Sequence, residues 1–454
     1  MAKLATWWRI ILHVVEDFTP PLCKHGDMLQ RKIAKNLAEA RADTPVILLM
    51  GPRRAGKSTL AQQAALTPPG APIVVGERVP EAALRQAPYF TLDDAATLAD
   101  VRANPQGFLE ERRASEWIVI DEVQRVPELM IAIKREVDLS HRTGSFLITG
   151  SANILTLPKT SETLAGRVEL LRMWSLAQCE IENTPGSFLH WVFSDARDIP
   201  QDIDLQSHTR DSIIDRALAG GYPEVLARGT RVRRDAFFGS YLTTVIEREI
   251  KSISDIEDET GITRILKALA SRSGGPRNYT TLSNDTQLPM TTIRRYAALL
   301  EATFLIKELP AWAGGVDGKI IRTPKMLITD SGLYGNLLNI SPSDSHIGFL
   351  IETFVGTELL KLASFEGHSE YTLLHFRRKQ HEVDFVIEQR GGAIVGVEVK
   401  AATTVRADDF SGLLTLASIA KDRFHRGILF YCGDKVVPFS NGTIALPIST
   451  LWQL

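Results

Sequence analysis

Three short runs of consecutive apolar residues stand out in the first half of the chain: residues 45–50 (PVILLM), 117–122 (WIVIDE) and 145–150 (SFLITG). Stretches with helical spacing alternate with them. Runs of this kind suit strands buried on both faces, and the alternation predicts an α/β fold with a parallel sheet and crossover helices. From about residue 205 to 255 the pattern is mostly helical, broken by Gly220-Gly221-Tyr222-Pro223. Residues 279–288 then predict a short helix, Pro289-Met290 a turn, and Thr291 or Thr292 the cap of a second helix. In that helix Ile293, Tyr296, Ala297 and Leu300 fall at i, i+3, i+4 and i+7, which makes one buried stripe and turns Arg294 and Arg295 outward. Residues 304–309 and 320–328 predict strands around a Gly314-Gly315 wing, so the stretch reads as a winged helix. Beyond about residue 345 a helix leads into strands with a Gly391-Gly392 turn, then a helix and further strands: a second, smaller α/β unit.

The apolar segment Trp7–Val15 is interrupted by Arg9 and His13 and falls well short of the ~20 residues a membrane span needs. No small-residue cleavage site follows it, so it is not read as a signal peptide. Residues 1–27 are taken as an N-terminal extension, with the folded part starting near Met28 and no membrane partner expected.

Composition narrows the classes. The 454 residues are 44% hydrophobic and 23% charged, which excludes wholesale disorder, and a net charge of −2 excludes a polycationic nucleic-acid coat. Cys23, Cys179 and Cys432 are far apart, which excludes a disulfide framework or zinc knuckle and suits a reducing cytoplasm. Against that near-neutral background, residues 260–325 carry ten Lys/Arg and four Asp/Glu, a local net of +6. That asymmetry is the footprint of a phosphate-contacting face, and Arg294 and Arg295 are its candidate DNA contacts, unless the module serves only as a protein-contact surface.

The strongest chemical signal is the run Gly51, Pro52, Arg53, Arg54, Ala55, Gly56, Lys57, Ser58, Thr59, which matches G-x-x-x-x-G-K-[ST] between a strand and a helix. Glycines let backbone N–H groups curl around phosphate oxygens, and the helix N-terminus adds partial positive charge. Lys57 is expected to reach the β- and γ-phosphates of ATP, and the Ser58 hydroxyl to bind Mg²⁺. Asp121, at the end of the second apolar run, is placed to hold that metal, and Glu122 to polarise the attacking water. After the third run, Ser151 is the first candidate for touching the γ-phosphate and Asn153 the second; a plain strand-end turn is the alternative. Asp93 and Asp94 either cap the next helix or sit near the metal.

Together the runs GPRRAGKST, FTLDD, IVIDEVQRVPEL, FLITGSAN and LAGR resemble the ATPase domain of a prokaryotic AAA+ family whose members carry a C-terminal domain related to PD-(D/E)XK nucleases. The resemblance implies an ATPase core over residues 28–175, a helical lid over 176–258, a winged helix over 259–328 and a nuclease-like domain over 329–454. It also implies assembly into a ring or dimer and an arginine completing the site, often from a neighbouring subunit, for which Arg167 in LAGR is the candidate, a surface arginine at a turn being the alternative.

The last block holds Glu382-Val-Asp384 and, across the Gly391-Gly392 turn, Glu398-Val-Lys400. Strand alternation puts Glu398 and Lys400 on one face, with Val395, Val397 and Val399 on the other. Two carboxylates with a lysine suit metal-assisted phosphodiester cleavage: Asp384 and Glu398 would hold Mg²⁺ and Lys400 would orient water, with Glu352 as a further ligand. The arrangement resembles the PD-(D/E)XK core, which can also persist without cutting. His375, His381 and Phe376-Arg377-Arg378-Lys379 make either a DNA-backbone contact or a solvated turn, and Asp330 a turn or cap. The expected function is an ATPase that binds DNA and couples hydrolysis to the nuclease-like domain. The alternative is an ATP-controlled DNA-binding switch with an inactive nuclease fold.

Overall fold

The computed structural model describes residues 29–454 apart from 75–78, 85–86, 114, 116, 152–165, 197–198, 201–202, 255–257, 276–277, 315–322 and 368–369. The N-terminal extension, Asn153, Leu164 and Ala165 of the LAGR run and the Gly315 end of the wing lie outside the described residues.

The apolar runs become the centre of a five-stranded sheet in the order β2-β3-β4-β1-β5. Its strands are β1 (Val46–Met50), β2 (Tyr89–Thr91), β3 (Ile118–Asp121), β4 (Phe146–Gly150) and β5 (Val168–Arg172), all parallel. Every residue of β1, β3 and β4 is buried, because helices cover both faces. Val46, Leu48, Ile120 and Ile148 pack with Ile133 and Val137 of the helix Leu129–Ser140. Ile47, Leu49, Val119 and Leu147 pack on the opposite side with Leu37 and Leu60, from helices Ile33–Asp43 and Lys57–Leu66. All five strands run the same way, so the carboxyl ends of β1, β3 and β4 open on one edge of the sheet.

Beyond the sheet, the helix Arg231–Thr244 runs into a π-helical segment, Val245–Ile250. Three helices follow, Glu259–Ala270, Tyr279–Thr286 and Met290–Ala302, and then the antiparallel pair β6 (Ile306–Leu309) and β7 (Lys325–Ile328). Ile293, Tyr296, Ala297 and Leu300 are buried, while Arg294 and Arg295 are exposed. The expected threonine cap is absent: the helix starts at Met290 behind Pro289, whose fixed φ (−57°) suits the entry, so Thr291 and Thr292 lie in the first turn.

The C-terminal sheet is mixed, in the order β12-β13-β11-β10-β9-β8. β8 (Tyr371–Arg378), β9 (His381–Gln389) and β10 (Ile394–Lys400) form an antiparallel meander. β10 then runs parallel to β11 (Phe424–Tyr431), and β11 to β13 (Thr443–Pro447), which β12 (Val437–Pro438) flanks. The helix Ile347–Phe365 lies on one face, with Phe354 and Leu359 in the core that also holds Val395 and Val397. Leu413 and Leu416 of the helix Ser411–Ala420 cover the other.

The helical, middle and C-terminal blocks beyond residue 176 pack on one another. One apolar core runs through it, joining Ile213, Tyr241, Ile265, Leu300, Leu327, Phe354 and Trp452. Asp330, only 1% exposed, binds the pieces further. It caps the helix Ser331–Leu337 through the N–H groups of Gly332 (3.0 Å) and Leu333 (3.1 Å). The same carboxylate accepts the Ser175 hydroxyl (3.0 Å) and the Gly221 N–H (2.9 Å).

Candidate functional site

The phosphate-loop residues sit where β1 gives way to the helix Lys57–Leu66. Two glycines are required for different reasons. A Cβ on Gly51 would run into the Met173 carbonyl oxygen, whereas Gly56 takes φ +97°. Arg31, 6% exposed, props the loop from outside. Its guanidinium donates to the carbonyls of Ala55 (2.6 Å) and Trp174 (2.8 Å) and to Glu180 (3.0 Å). Lys57, 4% exposed, donates to the carbonyls of Gly51 and Pro52, both at 2.9 Å. Burial holds its ammonium below the usual lysine range, offset by Glu122, Asp121 and Glu249. Ser58 is half-buried in the first helical turn and Thr59 is exposed. Arg54 reaches out to an ion pair with Glu224.

The ends of β3 and β4 supply the rest. Asp121, 3% exposed, accepts the hydroxyls of Thr149 and of Tyr89 (2.8 Å). Glu122 takes a left-handed backbone (φ +61°), and its carboxylate accepts the Gln124 amide and the Ser151 hydroxyl (3.3 Å). Burial pushes the Glu122 carboxyl up, with Lys57 opposing and Asp121 adding to the rise. Ser151, 1% exposed, also accepts from Gln124 at 2.8 Å. A carboxylate and a serine hydroxyl are hard oxygen donors, so Asp121 and Ser58 suit Mg²⁺.

A residue the sequence did not single out enters this cluster from the helical block. Glu249, 5% exposed and within the π-helical segment, accepts both the Arg53 guanidinium and the Ser151 hydroxyl. Arg31 and Glu249 are 149 and 196 residues away in sequence from Glu180 and Arg53, so no local spacing points to them. Glu249 stands among the apolar residues Val245, Ile246 and Ile250 on the buried face of that segment, and a charged residue at such a position is the one signal the sequence offered.

Arg167 is not brought to this site. It precedes β5, and its carbonyl accepts the N–H of Val46, the first residue of β1. The length of β1, about 15 Å at ~3.3 Å per residue, therefore separates it from its own chain's loop. Its side chain pairs with Asp138 (2.5 Å). Asp94 caps the helix Ala95–Ala103 through Thr97 (2.8 Å), and Asp93 pairs with Arg125 (2.6 Å), so neither faces the metal position.

A second charged centre lies in the C-terminal sheet. β9 and β10 pair as the hairpin reading requires, with Phe385 opposite Val397, and Asp384 accepts the Val399 N–H at 2.9 Å. Glu398 and Lys400 share a face and pair at 2.8 Å. The remaining Glu398 oxygen is buried with no hydrogen-bond partner among the described residues. Lys325, its side chain 2% exposed, arrives from β7. It pairs with Glu352 and with Asp384 (3.8 Å), and donates to the Asp384 carbonyl (3.2 Å). Burial alone would lower the Lys325 ammonium, but Glu352 and Asp384 hold it above the usual lysine range. Burial pushes the Glu352 carboxyl up to about 7, and burial with Asp384 pushes Glu398 up to about 8. Among the described residues no three His, Cys, Asp or Glu side chains are grouped to hold a metal, and Glu352 and Asp384 share the Lys325 ammonium. His375 is buried, bonded to the Thr323 carbonyl (3.0 Å) and pushed down to about 4 by burial, which makes it structural and neutral. Lys379 is exposed in the β8–β9 turn and His381 at the start of β9, and Arg377 pairs with Glu382 (3.4 Å).

The first sheet and its loop define a P-loop nucleotide-binding domain. Residues 43–182 match the AAA domain family. Residues 210–344 and 347–451 match two domains of unknown function, DUF8612 and DUF4143. The chain is 27% identical over 442 residues to the uncharacterized protein Rv2008c of Mycobacterium tuberculosis, covering 95% of this chain and 87% of the relative. The uncharacterized protein Mb2031c of Mycobacterium bovis matches with the same identity and coverage. Among the described residues no helix is long and apolar enough to cross a membrane.

Proposed function

We propose that this protein is a Mg²⁺-dependent ATPase that binds DNA and uses the nucleotide cycle to move its helical and C-terminal parts. One observation carries the reading: Lys57, Asp121, Glu122 and Ser151 converge at the carboxyl edge of the parallel sheet, around a loop whose glycines leave its backbone close-packed and free to curl. In this reading the loop amides and Lys57 bind the triphosphate. Glu122, raised by burial and aimed beside Ser151, orients the attacking water and takes its proton. Bound Mg²⁺ would add neutralisation of phosphate charge, with Ser58 and Asp121 as its holders.

DNA is assigned to the basic middle block, where three helices precede an antiparallel strand pair and Arg294 and Arg295 project to solvent. For the C-terminal domain, Lys325 favours the non-cleaving switch. Its ammonium pairs with Glu352 and with Asp384, so one of the two carboxylates that would hold a metal already has an internal cation, and Lys400 pairs with the other, Glu398.

The deciding experiment is ATP turnover of the full chain with and without DNA, beside Lys57→Ala and Glu122→Gln. Loss of roughly 10²–10³-fold in each variant is expected, together with stimulation of the wild type by DNA. Wild-type turnover that either variant leaves intact refutes the site. Turnover indifferent to DNA, with binding unchanged on replacing both Arg294 and Arg295, refutes the DNA assignment.

A further inference from the structure

Glu249 is an anion placed inside an anion-binding site. The helix from Arg231 presents Glu247 and Arg248 to solvent, whereas Glu249, within the π-helical segment, lies on the buried face with Tyr241, Val245 and Ile246. Its two carboxylate oxygens are divided between the phosphate loop and the end of β4, one on Arg53 and the other on Ser151. Those two donors flank the position a terminal phosphate takes between a P-loop and the neighbouring strand end.

Building on the ATP-site reading above, we propose that Glu249 stands in for the γ-phosphate and is the residue by which the site distinguishes triphosphate from diphosphate. The single Ser151 hydroxyl proton is turned on Glu249, with Glu122 as a longer second acceptor at 3.3 Å, so a phosphate oxygen arriving there competes with carboxylates already in place. Charge points the same way. Asp121, Glu122 and Glu249 all act on the one buried Lys57, and a γ-phosphate beside three carboxylates is favoured only once one of them leaves. Glu249 is also the one carried on a movable element. Relaxing the π turn to α geometry shifts the register by one residue, which swings the side chain by about 100°. Triphosphate binding therefore expels Glu249 and frees the helix Arg231–Thr244, whereas a diphosphate leaves the latch closed.

The test is calorimetry on the full chain with Mg²⁺, titrating ADP and a non-hydrolysable ATP analogue into wild type, Glu249→Gln and Glu249→Ala. Removing the competing carboxylate should tighten the ATP analogue about tenfold, with ADP shifted less than about twofold in the same range. Glu249→Gln, of equal shape, should show the same selectivity in smaller measure and guards against misfolding. Hydrogen exchange in the helix 231–250 should be faster in the analogue complex than in the ADP complex. The proposal is overturned if analogue affinity is unchanged or weaker, or if both nucleotides shift equally. A wild type that binds neither nucleotide would instead refute the ATP site itself, which separates the two failures.

Discussion

The nucleotide site and the C-terminal centre are built from the same materials: acidic side chains at strand ends, with a lysine buried among them. They differ in what the lysine holds. Lys57 rests on two neutral carbonyls of its own loop, which leaves its charge available to an incoming anion. Lys325 is spent on carboxylates, pairing with Glu352 and Asp384 and lying 4.7 Å from the Phe385 ring. The first arrangement is poised for an external partner of high charge. The second is closed on itself, and its charges serve the joint between β7, the helix Ile347–Phe365 and β9.

The sharpest way to break this contrast is Lys325→Ala. It leaves Glu352 and Asp384 buried without their cation, and a loss of about 3–5 kcal/mol is expected in urea denaturation. Excess Mg²⁺ should recover part of that loss in the variant and do nothing for the wild type; equal response of both would mean the wild-type centre already takes metal. A smaller effect concerns pH. Glu398 is raised to about 8, and Glu352 to about 7, from an ordinary glutamate value of 4.5. The folded protein thus keeps protons that the unfolded chain has lost, and stability falls as pH rises from about 4.5 to about 8. Urea midpoints should be higher at pH ~6 than at pH ~8, and Glu398→Gln should flatten that slope. The smallest effect is on the nucleotide side. Asp94→Ala removes a helix cap and should cost about 1 kcal/mol without altering nucleotide affinity, whereas a metal-facing Asp94 would weaken Mg-nucleotide binding.

Local patterns made much of this legible. Apolar runs named β1, β3 and β4, because a strand buried on both faces needs no alternation. The stripe Ile293, Tyr296, Ala297 and Leu300 faces the core as helical spacing requires, and the turn at Gly391-Gly392 brings Asp384 to Glu398's strand. What stayed hidden depends on the third dimension. Arg31, Glu249 and Lys325 each act on partners from distant segments, and their surroundings resemble any charged helix or strand end. Arg167 lies at the far end of β1 from its own chain's loop, a position the LAGR run does not reveal.

Asp330 gathers donors from residues 175, 221, 332 and 333 onto one enclosed carboxylate. Severing the chain between Gly221 and that aspartate would leave the acid with only the Gly332 and Leu333 donors in an oily interior on one fragment, and orphan the Ser175 and Gly221 donors on the other. Expression of either half alone should accordingly yield aggregates, while the intact polypeptide transmits strain from its front to its back through a knot only a few ångströms across.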